Sequence, residues 1–117
     1  MPKERDLLKS FSYALYGLEK VVLERNFRIQ ICFGVGAIVL SFVLHVPFAE
    51  KVIIVLCTGL VLAGEIMNSA TERLLDFVSQ ERREDIRTIK DLTAAAVLIF
   101  SITSLAIGLW IFGRALL

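Results

Sequence analysis

The sequence predicts an all-α membrane protein with three transmembrane helices and an amphipathic surface helix before them. Hydrophobic residues make up 56% of the 117 residues, more than a soluble domain of this length can bury. About 20 apolar residues cross the hydrocarbon core of a bilayer. Two apolar segments reach this length, and a third begins as an apolar run but gains acidic residues before the length is complete. The length fits a single domain over residues 1–117.

The surface helix is predicted over about residues 5–25. Charged side chains such as Lys9, Glu19 and Lys20 are interspersed there with apolar ones. A helix with one apolar and one charged face lies in the plane of the membrane surface. The apolar side chains recur at steps of three and four residues, the period of one helix face, and they are Leu7, Phe11, Leu15, Leu18 and Val22.

The three spans are predicted at about residues 29–48, 52–78 and 92–113. The first and the third contain no charged residue, and Pro47 marks the turn between the first two. The second starts as an apolar run but gains acidic residues from Glu65 onward. No Gly or Pro occurs between positions 64 and 108, so the second helix is expected to extend beyond the bilayer.

Lysine and arginine residues are distributed unevenly around the spans. Six lie within residues 1–28 and four within residues 82–90, whereas the first turn has only Lys51 and the tail only Arg114. Cytoplasmic segments carry the excess of basic residues, so the N-terminus and the acidic end of the second helix are predicted on the cytoplasmic side. The net charge of +1 and the lack of a basic block do not suggest nucleic acid as a partner.

The acidic end of the second helix has the sequence GEIMNSATERLLD (residues 64–76). At about 100° per residue, Glu65, Asn68, Glu72 and Asp76 share an arc of about 80° on one helix face. Carboxylates inside a membrane helix are costly and face a protein interior, a cavity or a cation. Two explanations remain open here: a polar seam paired with arginines of neighbouring segments, or a site for a divalent cation such as Mg²⁺.

Two further polar segments are expected at the same face of the membrane. LERNFRIQ (23–30) precedes the first span, and IKDLTAAAVLI (89–99) opens the third. Carboxylates, an amide, arginines and a lysine are the groups that phosphoryl transfer needs for a base, metal ligands and the phosphate charge. The sequence contains no GxxxxGK[ST] or GxGxxG loop, so helix ends, between subunits, are expected to hold any nucleotide.

Two other classes of protein remain as alternatives. A proton- or ion-coupled transport subunit also carries acids in a membrane helix, although its sites are expected near the bilayer midplane. The second alternative is a structural adaptor protein without catalytic activity. It gives no explanation for the acidic residues of the second helix.

The segments EIMNSATERLLD (65–76) and KDLTAAAVLI (90–99) resemble the prokaryotic diacylglycerol kinases and the related undecaprenol kinases, which are small membrane lipid kinases. SFSYALYGL (10–18) and ERNFRI (24–29) extend the resemblance and look more like the undecaprenol kinases. The resemblance implies a homotrimer with active sites shared between neighbouring subunits, ATP as co-substrate and Mg²⁺ as cofactor. It also implies a multi-pass protein of the bacterial cytoplasmic (inner) membrane, with its active site on the cytoplasmic side.

The resemblance also implies roles for individual residues. Glu65 matches the catalytic base that removes the proton from the lipid hydroxyl, and Glu24 and Glu72 match the metal-binding carboxylates. Arg28 and Glu65 match the region of the lipid substrate. The residues that match the nucleotide site are Tyr13, Glu24, Asn68, Glu72, Asp76, Lys90 and Asp91.

The implied reaction is the transfer of the γ-phosphate of ATP to the hydroxyl group of a membrane lipid. Undecaprenol is the favoured acceptor because the first third of the chain resembles the undecaprenol kinases more. The alternative acceptor is diacylglycerol, whose phosphorylation gives phosphatidate. Residues 80–83 (QERR) and Asp6 depart from the family pattern in two regions from which some members contact the nucleotide.

Overall fold

Four α-helices make up the chain in the computed structural model, which describes residues 3–81 and 83–117, with side chains from residue 6 onward. The helices α2, α3 and α4 are each long and apolar enough to cross a membrane. The predicted all-α architecture with three candidate spans is confirmed, whereas the position of α1 on a membrane surface stays a prediction. The described ranges contain no strand, and their helices are α1 (Lys3–Val21), α2 (Arg25–Val43), α3 (Phe48–Val78) and α4 (Glu84–Leu116).

The connection between α1 and α2 is a tight turn at residues 22–24. The helix α1 ends at Val21, whose side chain is buried, and the Glu24 amide donates to the Val21 carbonyl at 2.9 Å. The helix α2 begins at Arg25, before the predicted start of the span near residue 29. The predicted surface helix, which continued to residue 25, therefore ends earlier. Hydropathy marks only the apolar part of a helix, and the first turn of α2 is charged.

The helix α2 ends in a Schellman motif, in which a residue in the left-handed conformation stops the helix. His45 has a φ of 54°, and its amide donates to the Phe42 carbonyl at 3.2 Å. The Val46 amide donates to the Ser41 carbonyl at 3.1 Å. Because this motif and Pro47 complete the turn, α2 ends at Val43 and α3 begins at Phe48, while the predicted bounds of the membrane spans, at about residues 48 and 52, stay predictions.

The helix α3 is central in the bundle, because it packs against both α2 and α4. Glycines allow a close approach on each side. A Cβ atom at Gly34 of α2 would overlap the Thr58 side chain of α3, and a Cβ atom at Gly64 of α3 would lie 3.0 Å from the Phe100 ring of α4. Side chains larger than hydrogen are therefore excluded at these two contacts unless the neighbour moves.

One end of the bundle, at the turn between α2 and α3, is closed by a small hydrophobic core, which we call the core end. Val46, Ile54 and Ile111 are buried there. An ion pair of 3.1 Å between Arg114 Nη1 and Glu50 Oε1 joins the end of α4 to the start of α3. The opposite end, where α2 begins and α3 ends, carries the acidic motif, and we call it the acidic end.

Two of the helices are longer than a membrane span requires. The 31 residues of α3 extend about 46 Å at 1.5 Å per residue, against a hydrocarbon core of about 30 Å. The helix α4 has 33 residues, and Glu84 and Asp85 lie in its first turn. The extra turns of both helices bring charged residues together at the acidic end, where apolar sequence gives way to polar sequence.

Candidate active site

Three carboxylates gather at the acidic end: Glu24 in the turn before α2, and Glu65 and Glu72 on α3. We call them the carboxylate cluster. Glu24 and Glu72 both lie near enough to Glu65 to interact electrostatically with it. Glu65 is only 7% exposed, whereas Glu24 is half-buried and Glu72 is exposed. The cluster therefore combines one acid inside the protein with two that reach its surface.

Glu65 has an amide rather than a cation as its hydrogen-bond partner. Gln30 Nε2 of α2 donates to Glu65 Oε2 at 3.4 Å, and the ion pairs among the described side chains do not include Glu65. A buried carboxylate without a cation is costly, and in a membrane helix it marks a candidate functional site. The sequence did not reveal Gln30, because only the packing of α2 against α3 brings it to Glu65.

Glu24 is held by two residues of α3. The Ser69 hydroxyl and the Arg73 guanidinium both donate to Glu24 Oε2, the latter at 3.0 Å. Arg73 of α3 is therefore the arginine partner of Glu24, whereas Glu65 and Glu72 have no ion pair among the described side chains. Ser69 was not singled out from the sequence, although it lies one helical turn after Glu65 and hence on the same face of α3.

Asn68 and Glu72 lie one turn apart on α3 and bind each other. Asn68 Nδ2 donates to Glu72 Oε1 at 3.4 Å, whereas Asn68 Oδ1 is buried and has no hydrogen-bond partner within the described part of the chain. A buried oxygen without a donor is unfavourable. This position can therefore accept a hydrogen bond from a group that the single chain does not supply.

The oxygen atoms of Glu24 and Glu72 suit a hard cation. No group of three or more His, Cys, Asp or Glu side chains among residues 3–81 and 83–117 could hold a metal ion by itself. Mg²⁺, however, binds through one or two carboxylates, with water and phosphate oxygens completing its shell. The two carboxylates therefore fit a cation that binds together with a nucleotide better than one held by protein ligands alone.

Three other predicted site residues lie near the acidic end in two ion pairs. Lys90 Nζ of α4 donates to Asp76 Oδ1 of α3 at 2.7 Å, which joins the two helices. Asp91 pairs with Arg87 on its own helix at 3.5 Å. The structure thus connects Asp76 with Lys90, and it leaves Asp91 in a pair of its own.

The remaining predicted residues lie on other elements. Tyr13 of α1 and Arg28 of α2 are both exposed. In the connection between α3 and α4, where the sequence departs from the family pattern, the Glu81 amide donates to Ser79 Oγ at 3.1 Å. Arg82 lies outside the described residues. The nucleotide roles expected for Tyr13 and for this connection stay predictions.

The fold and the site define a class of protein: an all-helical chain with three candidate membrane spans and a carboxylate cluster at one end of them. The cluster places a buried acid within electrostatic reach of acids open to water. Such an arrangement can serve a lipid group on one side and a water-soluble, charged substrate on the other.

Comparison with known proteins identifies the family. Residues 12–112 match the family model described as prokaryotic diacylglycerol kinase. The chain is 31% identical over 105 residues to the undecaprenol kinase of Bacillus subtilis, with 89% of this chain and 85% of that protein covered. It is 34% identical over 105 residues to a diacylglycerol kinase of Synechocystis, with 88% and 60% covered. For a diacylglycerol kinase of Haemophilus influenzae, the identity is 33% over 94 residues, with 80% of each chain covered.

The chain belongs to the prokaryotic diacylglycerol kinase family. This confirms the resemblance seen in the sequence, and it confirms the predicted class of enzyme, a phosphotransferase with an alcohol group as acceptor. Relatives named undecaprenol kinase and relatives named diacylglycerol kinase occur at similar identity. The comparisons therefore support the two acceptors equally.

Proposed function

We propose that the protein transfers the γ-phosphate of ATP to the hydroxyl group of a membrane lipid, with undecaprenol as the first candidate acceptor and diacylglycerol as the second. The observation that carries the proposal is Glu65, a buried carboxylate with no cation partner among the described side chains, which lies beside two more accessible carboxylates. Membership of a kinase family supports the same reaction.

In the proposed reaction, Glu65 acts as the general base. The lipid hydroxyl donates its hydrogen bond to a Glu65 oxygen, and the hydroxyl oxygen attacks the γ-phosphorus. The new oxygen–phosphorus bond forms while the bond from the γ-phosphorus to the bridging oxygen of ADP breaks, and Glu65 takes the proton. Gln30 holds Oε2 of Glu65, which leaves Oε1 for the hydroxyl group.

Glu24 and Glu72 would hold Mg²⁺ together with the phosphates of ATP. When bound, Mg²⁺ neutralises negative charge on the β- and γ-phosphates. Oxygen ligands, partial exposure and proximity to Glu65 support this assignment. Glu24 Oε2 is occupied by Arg73 and Ser69, so Arg73 competes with a cation for this carboxylate.

The nucleotide is proposed to bind around Asn68, Asp76, Lys90 and Asp91, with Tyr13 of α1 contributing an aromatic side chain. The buried Asn68 Oδ1, which lacks a partner in the described chain, supports a ligand at this place. Lys90 is the cation nearest the motif on α4 and would interact with phosphate oxygens in exchange for Asp76. Arg28, which is exposed, is assigned to the lipid and phosphate side.

We further propose that the protein is a homotrimer of the bacterial cytoplasmic (inner) membrane, with α1 on the membrane surface and the acidic end in the cytoplasm. The excess of basic residues at the acidic end supports the orientation. The apolar side chains of Leu7, Phe11 and Leu15 on α1 are exposed, which supports contact with lipid or with another chain.

The test is phosphorylation of undecaprenol and diacylglycerol, side by side, by the purified protein in mixed micelles with Mg²⁺ and ATP. We expect a phosphorylated product from both lipids and a higher kcat/KM for undecaprenol. A higher kcat/KM for diacylglycerol would reverse the order of the acceptors. If neither lipid is phosphorylated although ATP binds, the proposed reaction is wrong.

A further inference from the structure

Glu24 lies at the N-cap position of α2, but its carboxylate does not cap that helix. No hydrogen bond joins the Glu24 side chain to the backbone amides at the start of α2, although N-cap side chains often make this contact. The carboxylate is instead held by Ser69 and Arg73 of α3, which both donate to Oε2. The direction of the Glu24 carboxylate is therefore set by α3 and not by its own segment.

The hydroxyl group of Ser69 makes a contact between two segments, unlike the hydroxyl groups of Ser41 and Thr71. Serine and threonine within a helix commonly donate to a carbonyl about one turn earlier in the same helix. Ser41 and Thr71 do so at 2.6 and 2.9 Å. Ser69 instead donates the one proton of its hydroxyl group to Glu24, 45 residues away in the sequence. This bond therefore joins α3 to the turn before α2.

The two donors to Glu24 differ in burial and in length. Ser69 is 8% exposed, and along one face of α3 it lies between Glu65 and Glu72. The Arg73 side chain is 59% exposed. A short buried side chain loses less conformational entropy when it is fixed than a long exposed one. Ser69 is therefore the more rigid of the two contacts.

These contacts use only one of the two oxygens of Glu24. Within the described part of the chain, the hydrogen bonds to the Glu24 side chain reach Oε2 and not Oε1. Mg²⁺ requires a nearly octahedral arrangement of its ligands, so a ligand oxygen with a fixed direction suits it better than a mobile one. Hydrogen bonds to a metal-binding carboxylate commonly provide this orientation. A cation can therefore bind Oε1 while Oε2 stays held.

The charges of the two donors decide which of them is compatible with a bound cation. The guanidinium group of Arg73 is positively charged, and like charges at such short distances repel each other. The Ser69 hydroxyl group carries no net charge, so it can keep its hydrogen bond to Oε2 when a cation binds Oε1. Arg73 therefore suits Glu24 only without a cation, whereas Ser69 suits it with and without one.

We propose that Ser69 is a positioning residue: it holds Oε2 of Glu24 and so directs Oε1 toward the Mg²⁺ ion. The inference rests on the proposed function, and it adds a residue that acts through Glu24 rather than on ATP or the lipid. The competing explanation is that Ser69 only fastens the turn at residues 22–24 to α3. The two roles lead to different results for cation binding.

Three variants distinguish the two roles. Ser69→Ala removes the hydroxyl group and changes the volume of the side chain little. Ser41→Ala is the matched control, because Ser41 is also buried but its hydroxyl group donates to the Ile38 carbonyl of its own helix. Ser69→Thr keeps the hydroxyl group and alters the packing. Thermal unfolding of each variant in detergent distinguishes loss of the fold from a change at the site.

The experiment measures binding of Mn²⁺ in the presence of ATP by electron paramagnetic resonance, without a lipid acceptor. In Ser69→Ala we expect the affinity for Mn²⁺ to fall about tenfold, the lower limit of the usual effect of removing a hydrogen-bond partner of a metal ligand. Ser41→Ala and Ser69→Thr should keep the affinity of the unmodified protein. An unchanged affinity in Ser69→Ala, or an equal loss in Ser69→Thr, overturns the proposal.

A double-mutant cycle tests whether Ser69 acts through Glu24. Glu24→Gln removes the charge of the carboxylate, so the addition of Ser69→Ala to this variant should lower the affinity for Mn²⁺ no further. An equal loss of affinity from Ser69→Ala with and without Glu24→Gln means that Ser69 acts elsewhere, and the inference is then wrong.

These binding measurements separate the inference from the proposed function. If Ser69→Ala loses affinity as expected and neither lipid is phosphorylated, only the proposed reaction fails. If the lipids are phosphorylated and Ser69→Ala binds Mn²⁺ normally, only the inference fails. If Glu24→Gln binds Mn²⁺ as well as the unmodified protein, Glu24 is not a metal ligand, and both the metal assignment and the inference are wrong.

Discussion

Among the described acidic residues, only Glu65 is buried, and its partner is an amide rather than a cation. Glutamine at this position keeps the volume of the side chain but cannot take a proton from a hydroxyl group. We expect Glu65→Gln to lower kcat by about 100- to 10,000-fold, the usual contribution of a general base. Thermal unfolding in detergent should change little.

Glu50 provides the matched control for this substitution. It lies on the same helix, but at the core end, where it pairs with Arg114. Glu50→Gln should therefore keep its kcat. Near-normal turnover by a correctly folded Glu65→Gln variant would refute the assignment of Glu65 as the base.

Gln30 touches Glu65 through a single hydrogen bond of 3.4 Å. Leucine has a similar size but no donor, so Gln30→Leu leaves Glu65 free to turn away from the hydroxyl group. We expect kcat to fall about tenfold through this loss of orientation, with the KM for ATP unchanged. Gln80→Leu, at an exposed position between α3 and α4, is the control. A rise in the KM for ATP alone would contradict a role at the base.

Arg73 shares Glu24 with the proposed metal ion. The Arg73 and Glu24 side chains are 59% and 31% exposed, so their ion pair is weak, at about 0–1 kcal/mol. Without the guanidinium, the carboxylate is free to bind a cation. We expect Arg73→Ala to lower the Mg²⁺ concentration for half-maximal activity about two- to fivefold.

The control for Arg73 is Arg83→Ala, which removes the exposed ion pair with Asp85 and should leave the Mg²⁺ requirement unchanged. Binding of Mn²⁺ in the presence of ATP, followed by electron paramagnetic resonance, measures the same effect without turnover. If Arg73→Ala binds the cation no better than the unmodified protein, Arg73 does not compete with the cation for Glu24.

At the scale of the helices, the contact between α2 and α3 depends on Gly34. A methyl group there would overlap the Thr58 side chain, whereas a methyl group at Gly36, on the same helix, would meet nothing within 4 Å. We expect Gly34→Ala to destabilise the protein by about 1–3 kcal/mol through overpacking, and Gly36→Ala to have little effect. Unfolding in mixed micelles with increasing dodecyl sulfate measures both.

A double-mutant cycle identifies the physical cause of that loss. Thr58→Ala removes the atoms that the new methyl group would overlap, so the Gly34→Ala/Thr58→Ala variant should recover much of the stability. If the losses of stability from Gly34→Ala and Thr58→Ala simply add in the double variant, overlap with Thr58 is not the reason why Gly34→Ala destabilises the protein.

Hydropathy predicted the existence of all three candidate spans but not where the helices end. The end of α2 is set by His45, a non-glycine residue with positive φ, and no apolar pattern reveals this. The helix α2 starts at Arg25, and hydropathy does not mark this start because the residues of the first turn are charged. Helix ends depend on individual backbone hydrogen bonds, whereas the presence of a span depends on about 20 side chains together.

Residue spacing by itself predicted the arrangement of the site only along one helix. The spacing of Glu65, Asn68 and Glu72 places them on one face of α3 whatever the packing. The contact of Gln30 with Glu65 depends on how α2 is rotated against α3, and a single sequence does not contain that angle. For the same reason, the sequence does not show that Arg73 of α3 pairs with Glu24 in the turn before α2.

At the scale of the whole molecule, the single chain leaves most of its apolar surface uncovered. Ile111 is the one buried residue of α4 in the described chain, and large side chains such as Leu105 and Trp110 are exposed. The longest dimension of 52 Å is close to the thickness of a bilayer with its head groups, about 40–45 Å. Such a surface suits apolar surroundings such as lipid chains.

If neighbouring subunits share each active site, as proposed, two inactive variants can restore activity when they are mixed. Glu65 belongs to the carboxylate cluster, while Asp91 of α4 pairs with Arg87, its one ion-pair partner among the described side chains. If each site takes its cluster from one subunit and Asp91 from the next, inactive Glu65→Gln and Asp91→Asn chains complement each other. Random mixing in equal amounts then leaves about a quarter of the sites of a closed ring intact.

The control pair is Glu65→Gln mixed with Glu24→Gln, because both residues lie in the same cluster of one chain. No intact site can form in that mixture, so no activity should return. Co-purification of differently tagged chains shows that mixed assemblies have formed in both cases. If the Glu65→Gln and Asp91→Asn mixture then remains as inactive as its parents, the proposal that neighbouring subunits share each site through Asp91 is wrong.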